Sequence, residues 1–257
     1  MKNQNPPPLI CMDIGNTSTT YGFYQKGRLK GVERVASNNF PKFSNNLFKK
    51  FSVIPNVNII ISCVVPEINH KIKKIAKNRR IQKIWIIGEN LPIKIKHNYI
   101  NINKLGKDRL VNAYGAVKIY GAPALILDFG TALTCDYVSE KGVFLGGLII
   151  PGPEIALKAL SDKAALLPQI PFPKNCRSLI GRDTKEGMKA GILQGYGAMT
   201  DGLIERFRKR FGRKFRVIAT GGLSPVLFSY TSKIGILDPL LTLKSLAEVF
   251  KDKISVT

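Results

Sequence analysis

Residues 124–136, ALILDFGTALTCD, decide how the rest of this chain is read. Four apolar residues lead into Asp128, Phe129, Gly130 and Thr131, and Leu133 opens a second short run that reaches Tyr137 and Val138. The pattern predicts strand, tight turn, strand, with a carboxylate and a hydroxyl at the hairpin tip. Such a tip suits phosphate. Gly130 lets backbone approach a ligand with no Cβ in the way, Thr131 offers a donor, and Asp128 can hold a cation or its water. A plain hairpin whose Asp caps its own turn would carry the same string.

A second copy distinguishes these readings. In residues 9–24, LICMDIGNTSTTYGFY, apolar Leu9, Ile10, Cys11 and Met12 lead into Asp13, Ile14, Gly15, Asn16 and Thr17. A strand ending in Asp-x-Gly and Thr therefore opens each half of the chain. Repetition at a domain-sized period predicts duplication, with two similar lobes facing each other across a cleft and one nucleotide held there by both hairpins.

At 257 residues there is room for two lobes of ordinary size, and 44% hydrophobic with 22% charged residues is normal for a globular chain with a real core. No apolar run is long enough to span a bilayer, and residues 1–8 are polar and proline-rich without a signal-peptide core. A cytoplasmic location follows as the expectation, with those eight residues as a disordered extension. Cys11, Cys63, Cys135 and Cys176 form no C-x-x-C pair, and three lie in apolar strand-like runs, so buried reduced thiols are expected. His70 and His97 have no partner residues at metal-ligand spacing. Forty Lys and Arg against seventeen Asp and Glu give +23. The densest runs, residues 71–80 and 206–216, coincide with amphipathic helices, which favours a solvated basic face over a nucleic-acid groove. The same field steers a negatively charged small substrate.

Along the chain, strands at 19–25 and 29–35 complete a meander with the first. A helix at 41–51 carries Phe43, Leu47 and Phe51 inward, and β-branched residues 57–64 read as a strand buried on both faces. A helix then starts at Pro66 with Ile68, Ile72 and Ile75 inward, and 83–87 is one more strand. Three strands, helix, strand, helix, strand is the order of an RNase H-like lobe. Arg109–Tyr120 is helical, and Gly121-Ala122-Pro123 breaks the chain, giving lobes at 9–122 and 123–257. The second lobe restarts with strands at 124–128, 133–138 and 143–150 and a helix at 154–165. A long helix at 184–211 is interrupted by Gly187, Gly191, Gly195 and Gly197, each costing about 1 kcal/mol relative to Ala, so close packing against a helix of this chain or another subunit is expected. A strand at 215–219 and a terminal helix at 240–250 follow.

Further stretches place polar residues or glycine where apolar elements end. Gly106-Lys107-Asp108-Arg109 opens a helix, either as a plain cap or with its carboxylate and guanidinium turned to a ligand. Gly146-Gly147 and Pro151-Gly152-Pro153 bracket a strand that enters a helix, where amides can meet an anion. Thr220-Gly221-Gly222 ends a strand, on the side where such sheets bind ligands. Tyr99 can line a pocket or cover a core edge, and Thr184 begins a helix after Gly181-Arg182-Asp183.

Taken together, these motifs resemble the type III pantothenate kinases, in that family's order and from Leu9 to Leu246. The carriers are Asp13-Ile14-Gly15-Asn16-Thr17, Gly106-Lys107-Asp108-Arg109, Asp128-Phe129-Gly130-Thr131-Ala132-Leu133-Thr134, Gly146-Gly147-Leu148-Ile149-Ile150-Pro151-Gly152 and Thr220-Gly221-Gly222. The resemblance implies the α/β superfold of acetate and sugar kinases, Hsp70 and actin. It implies that Asp13, Ile14, Gly15, Asn16, Thr17, Ser18, Thr19 and Thr20 form the first phosphate loop, that Thr131 touches ATP, and that Asp128 holds K⁺ or NH₄⁺. Asp108 matches the proton acceptor, while Tyr99, Gly106, Lys107, Asp108, Arg109 and Thr184 match pantothenate-binding positions. The family is dimeric. Lys107 departs from its usual small or apolar residue, which bears on local packing.

The expected activity is ATP-dependent phosphorylation of pantothenate at its primary hydroxyl, with Mg²⁺ on the ATP phosphates near Asp13. A nucleic-acid-associated accessory factor on the same scaffold is the rival class, and a sugar or short-acid kinase the rival substrate. Intact Asp13, Asp108 and Asp128 favour a kinase, since binding alone needs no such set of carboxylates.

Overall fold

The computed structural model describes residues 8–40, 44, 47, 49–51, 53–75 and 81–255, which fall into two compact units. One unit takes the chain through Ile95 with Ile100–Ile119 and the segment from Leu241; the other takes Lys96–Tyr99 and Tyr120–Leu240.

The first unit is built on β1 (Leu9–Ile14), β2 (Ser18–Gln25), β3 (Arg28–Ala36), β4 (Val57–Cys63) and β5 (Ile81–Ile86), in the order β3-β2-β1-β4-β5. β1 pairs antiparallel with β2 and parallel with β4, as a meander followed by crossovers requires. Alternation divides β1 between two faces. Ile10, Met12 and Ile14 join a core with Phe40, Leu47, Phe51, Ile68 and Ile72. Leu9, Cys11 and Asp13 point the other way. Every residue of β4 is buried, as its β-branched run predicts for a strand covered on both sides. Helical Phe40, Ser44, Leu47 and Phe51 agree with the helix expected there. Phe43 and residues 1–7 are outside the described residues, as is the Ile75 side chain of α1 (Pro66–Ile75).

The second unit repeats the plan. β7 (Ala124–Phe129), β8 (Ala132–Val138) and β9 (Val143–Pro151) form the meander, and β10 (Arg216–Thr220) and β11 (Ile236–Leu237) extend it on the β7 side. β6 (Lys96–His97) adds to the far edge of β9. Without β6 the order is that of the first sheet, so the duplication read from two hairpin strings is a duplication of topology. α2 (Lys107–Tyr120) belongs mainly to the first unit. α3 (Pro153–Lys163), α4 (Thr184–Phe211) and the short α5 (Ser224–Phe228) belong to the second. No helix among the described residues is long and apolar enough to cross a membrane.

One sequence expectation needs correcting. The terminal helix α6 (Leu241–Ile254) is part of the first unit, not of a lobe spanning 123–257. Its apolar face buries Leu243, Leu246, Ala247 and Phe250. Gly115 of α2 lets it approach so closely that a Cβ there would lie 1.7 Å from Ser245 Oγ. Tyr114 donates to Asp252, and Lys118 pairs with the same carboxylate at 2.7 Å. An amphipathic pattern announces that a helix has a face to bury but not which sheet will receive it.

Candidate active site

The first hairpin tip is braced from a distance. Gly15 N–H donates to the Ser18 carbonyl at 3.0 Å, closing the turn, and Asn16 and Thr17 stand exposed beyond it. Ser37, just after β3, donates its hydroxyl to the Gly15 carbonyl at 2.6 Å and its N–H to the Thr17 carbonyl at 2.9 Å. Its Oγ also lies 3.1 Å from Thr19 Oγ1. Thr19 is wholly buried, so within the predicted loop its hydroxyl works inward. Ser18 accepts from Arg34 Nε at 2.9 Å. Asp13 sits half-buried at the end of β1 beside Ser62 on β4 and close enough to Cys63 to act on it electrostatically, although burial is the main cause that pushes the Cys63 thiol up to about 11. Ser37 was not singled out from the sequence because nothing local marks it: its partners are brought to it by the β2–β3 pairing.

The second tip is tighter, with Gly130 N–H donating to the Ala132 carbonyl at 3.1 Å. Motifs far apart in sequence meet on it. Gly152 donates to the Thr131 carbonyl at 3.1 Å, and a Cβ on Gly152 would stand 2.3 Å from that oxygen. Gly221, at φ +89, would put a Cβ 2.3 Å from Asp128 Oδ1, and Leu223 N–H reaches the Phe129 carbonyl at 3.1 Å. Gly152 and Gly221 are therefore glycine because they press on this turn. The Gly152 amide is used internally, so the start of α3 offers an anion less than the sequence suggested. Beside Asp128 on β10, Thr220 Oγ1 is fully buried with no hydrogen-bond partner. Thr131 is exposed.

Asp108 lies in the first turn of α2, half-buried, with its Oδ1 accepting Arg109 N–H at 2.9 Å. Gly106 makes room for it, since a Cβ there would come within 2.5 Å of the same oxygen. Burial pushes the Asp108 carboxyl above the usual carboxylate range, outweighing the opposing pull of the Arg109 amide and guanidinium. Arg109 is itself buried. Lys107 is accommodated by folding its stem over Gly88 and donating from Nζ to the Ile102 carbonyl at 3.2 Å. In the second unit, Tyr99 leans on Phe144 with ring centroids 6.1 Å apart and covers Gly146. Thr184 is exposed at the start of α4, which Asp183 caps by accepting Glu186 N–H at 2.8 Å. Gly147 serves strand packing, because a Cβ would fall 1.9 Å from the Cys135 carbonyl oxygen.

Among the described residues no group of three His, Cys, Asp or Glu side chains converges as a metal cage. Cys11, Cys63 and Cys135 are buried and all four cysteines are free, as expected.

The family model for type III pantothenate kinase matches residues 9–206. A type III pantothenate kinase of Syntrophobacter fumaroxidans is 36% identical over 252 residues, covering 95% of this chain and 97% of that protein. One from Listeria monocytogenes is 34% identical over 251 residues, covering 95% and 96%. Among solved structures, a putative Baf family transcriptional activator from Campylobacter jejuni superposes with a TM-score of 0.58 at 18% identity, covering 96% of this chain and all of that one. MreB5 of Spiroplasma citri bound to ADP gives 0.52 at 14%, covering 97% of each. At such identities the structures speak for the fold alone, the actin-like superfold expected from the sequence, whereas the sequence relatives, similar from end to end, speak for descent. The chain belongs to the type III pantothenate kinase family.

Proposed function

We propose that this protein transfers the γ-phosphoryl group of ATP to the primary hydroxyl of pantothenate, the first step toward coenzyme A. The observation that carries a phosphoryl-transfer reading is the repeated device itself: a carboxylate and a glycine turn at the end of the first strand in each of two units of the same topology. Family membership supplies the substrate.

Phosphoryl transfer asks a protein for positioning and for charge to meet the phosphoryl oxygens. The turn from Asp13 through Thr17 binds ATP phosphates through its backbone and the Thr17 hydroxyl, with Ser37 holding its shape. Thr131 contacts ATP from the second turn. Asp13 would stand nearest a divalent ion on the phosphates, and that ion would supply charge neutralisation there. Mg²⁺ binds through one or two carboxylates with substrate oxygens and water, a set to which Asp13 would contribute the carboxylate. Asp128 would hold a monovalent cation. The hard-oxygen set there fits K⁺ or NH₄⁺: a carboxylate that Gly221 leaves uncrowded and the unpartnered Thr220 hydroxyl beside it.

Asp108 accepts the proton of the attacking hydroxyl, a task for which a carboxylate raised by burial is a better base. Arg109 pairs with the pantothenate carboxylate and fixes which hydroxyl faces the phosphate. Gly106, Lys107, Tyr99 and Thr184 complete the pantothenate site.

We further propose a homodimer joined through α4. Gly197 has its packing reason in the Tyr230 carbonyl, 2.0 Å from where a Cβ would stand, but a Cβ on Gly191, Gly195 or Gly202 would meet none of the described residues within 4 Å. Exposed glycines that weaken a helix and have no packing reason among the described residues suit a helix approaching from a second copy.

The test is phosphate transfer from ATP with Mg²⁺ to pantothenate, with sugars and acetate as rival acceptors, in K⁺, NH₄⁺ and Na⁺ buffers. Pantothenate alone should be phosphorylated, faster in K⁺ or NH₄⁺, and Asp128→Asn should erase the cation dependence with most of the activity. Transfer only to a rival acceptor would refute the substrate, and equal rates in all salts would refute the cation site.

A further inference from the structure

The second unit contains seventeen Lys and Arg and ten Asp and Glu, and seven of the seventeen lie in residues 206–216, RFRKRFGRKFR, which contain no acid. Outside that stretch the unit is balanced, ten against ten. The larger excess of the first unit is spread along its elements, and of its own dense run, 71–80, residues 76–80 are outside the described residues. The charge of the second unit is thus one patch.

Helix-end electrostatics explain only part of it. Arg208, Lys209 and Arg210 occupy the last turn of α4, where cations suit the carbonyl end of a helix. Arg213, Lys214 and Arg216 lie past the cap at Gly212, where that effect has faded. Ion pairing among the described residues does not absorb them either: Glu205 is engaged by Arg208 at 2.8 Å and by Lys233 at 2.6 Å. Arg206, Lys209, Arg210, Arg213, Lys214 and Arg216 are exposed.

The frame beneath is a cluster of packed rings. Tyr137 of β8 stacks on Phe211 with centroids 4.2 Å apart and planes within 16°, meets Phe215 edge-on at 5.4 Å, and lies 5.9 Å from Phe207. Aromatic residues inside the basic run thereby pin helix end, turn and strand start to the sheet. Phe211 still leaves 40% of its surface exposed, with the Arg210 guanidinium 5.4 Å from its ring centre.

We propose that residues 206–216 form a binding surface for single-stranded nucleic acid, with the exposed cations following the phosphates and Phe211 with Arg210 offering a stacking platform for an unpaired base. Spaced cations beside an exposed aromatic ring are the elements of sequence-tolerant single-strand binding. A membrane surface would call for a broad apolar face next to the charge, and here the other two rings of the run, Phe207 and Phe215, pack against the core. This departs from the solvated face expected from the sequence, because the rings within the run pack it against Tyr137 of β8.

The experiment is fluorescence anisotropy of labelled 20-mer oligo(dT) and oligo(U) with the full chain across a salt series, with a DNA duplex of equal length and vesicles of anionic lipid as alternatives. Single strands should bind with a slope of log affinity against log salt of about −3, as four or so phosphate contacts would give at roughly −0.7 each. Arg210→Glu/Arg213→Glu/Lys214→Glu should weaken binding at least tenfold, with kinase activity and melting temperature unchanged. Lys26→Glu/Arg28→Glu/Lys30→Glu, an equal charge change on the exposed β2–β3 hairpin, should weaken it less than twofold. Phe211→Leu should lower single-strand affinity and leave duplex affinity alone. Equal losses in the two triple variants would mean that net charge alone binds, and tighter binding of duplex or vesicles would name a different partner; each result would overturn the proposal. Should the triple variant melt early, Lys209→Glu and Arg213→Glu singly, both exposed, decide the same question.

Discussion

Asp108 joins two demands that pull against each other. Its carboxyl is raised by burial, so the folded protein holds the proton more tightly than the unfolded chain does. The stability this contributes is complete below the ordinary carboxylate pKa and is lost as pH rises through the raised value, which leaves a buried charge as a cost at neutral pH. Asp108→Asn removes that charge and keeps the size. Its melting temperature should therefore exceed that of the parent at pH 7, with the gap closing toward pH 3, while kcat falls roughly 10²-fold or more, the scale of general-base contributions. The acid limb of the parent's kcat against pH should lie above the ordinary carboxylate pKa and be missing in the variant's residual activity. Near-parental kcat in a folded Asp108→Asn protein would return this residue to the role of a helix cap.

At the scale of elements, glycines mark where one segment presses on another, and the contact of α2 with α6 is the clearest case. Gly115→Ala would place a methyl 1.7 Å from Ser245 Oγ, 2.3 Å from its Cβ and 2.7 Å from its Cα. The helices must then part, and overpacking of this kind costs about 1–3 kcal/mol. Ser245→Gly removes the first two contacts but not the third, so the double variant should recover part of the lost stability in urea melts. Additive losses would show that the helices had moved together by another route. The glycines of α4 differ among themselves in the same way. Four residues alike in sequence, Gly187, Gly191, Gly195 and Gly197, separate in the structure into one that is packed and three that are open.

For the whole molecule, the terminal helix gives the sharpest expectation. Because α6 belongs to the first unit, a chain ending at Leu240 should lose that unit's cooperativity. Cys11 reports it. The thiol is fully buried, on the face of β1 opposite the core of Phe40 and Phe51, and burial raises its pKa, which keeps it inert. In the intact protein an aromatic disulfide reagent should titrate Cys176 rapidly and Cys11 slowly. In the truncated chain Cys11 should react rapidly as well. An unchanged Cys11 rate would mean that the first unit stands without its last helix.

The sequence by itself determined the repeated strand, turn and carboxylate, the three-strand meanders, the β4 run buried on both faces and the order of an RNase H-like lobe, because those follow from local periodicity and turn chemistry that a short window contains. It also marked Gly152 and Gly221 as turn residues, without their target. Only the tertiary structure decided that both press on the turn between Asp128 and Ala132, that Ser37 braces the first loop from beyond β3, that α6 serves the first unit, and that the charge of the second unit gathers on one frame of rings. The reason is physical: strand register and helix packing join residues 18 to 138 positions apart, and what settles those pairings is close approach and burial, which no window of sequence contains.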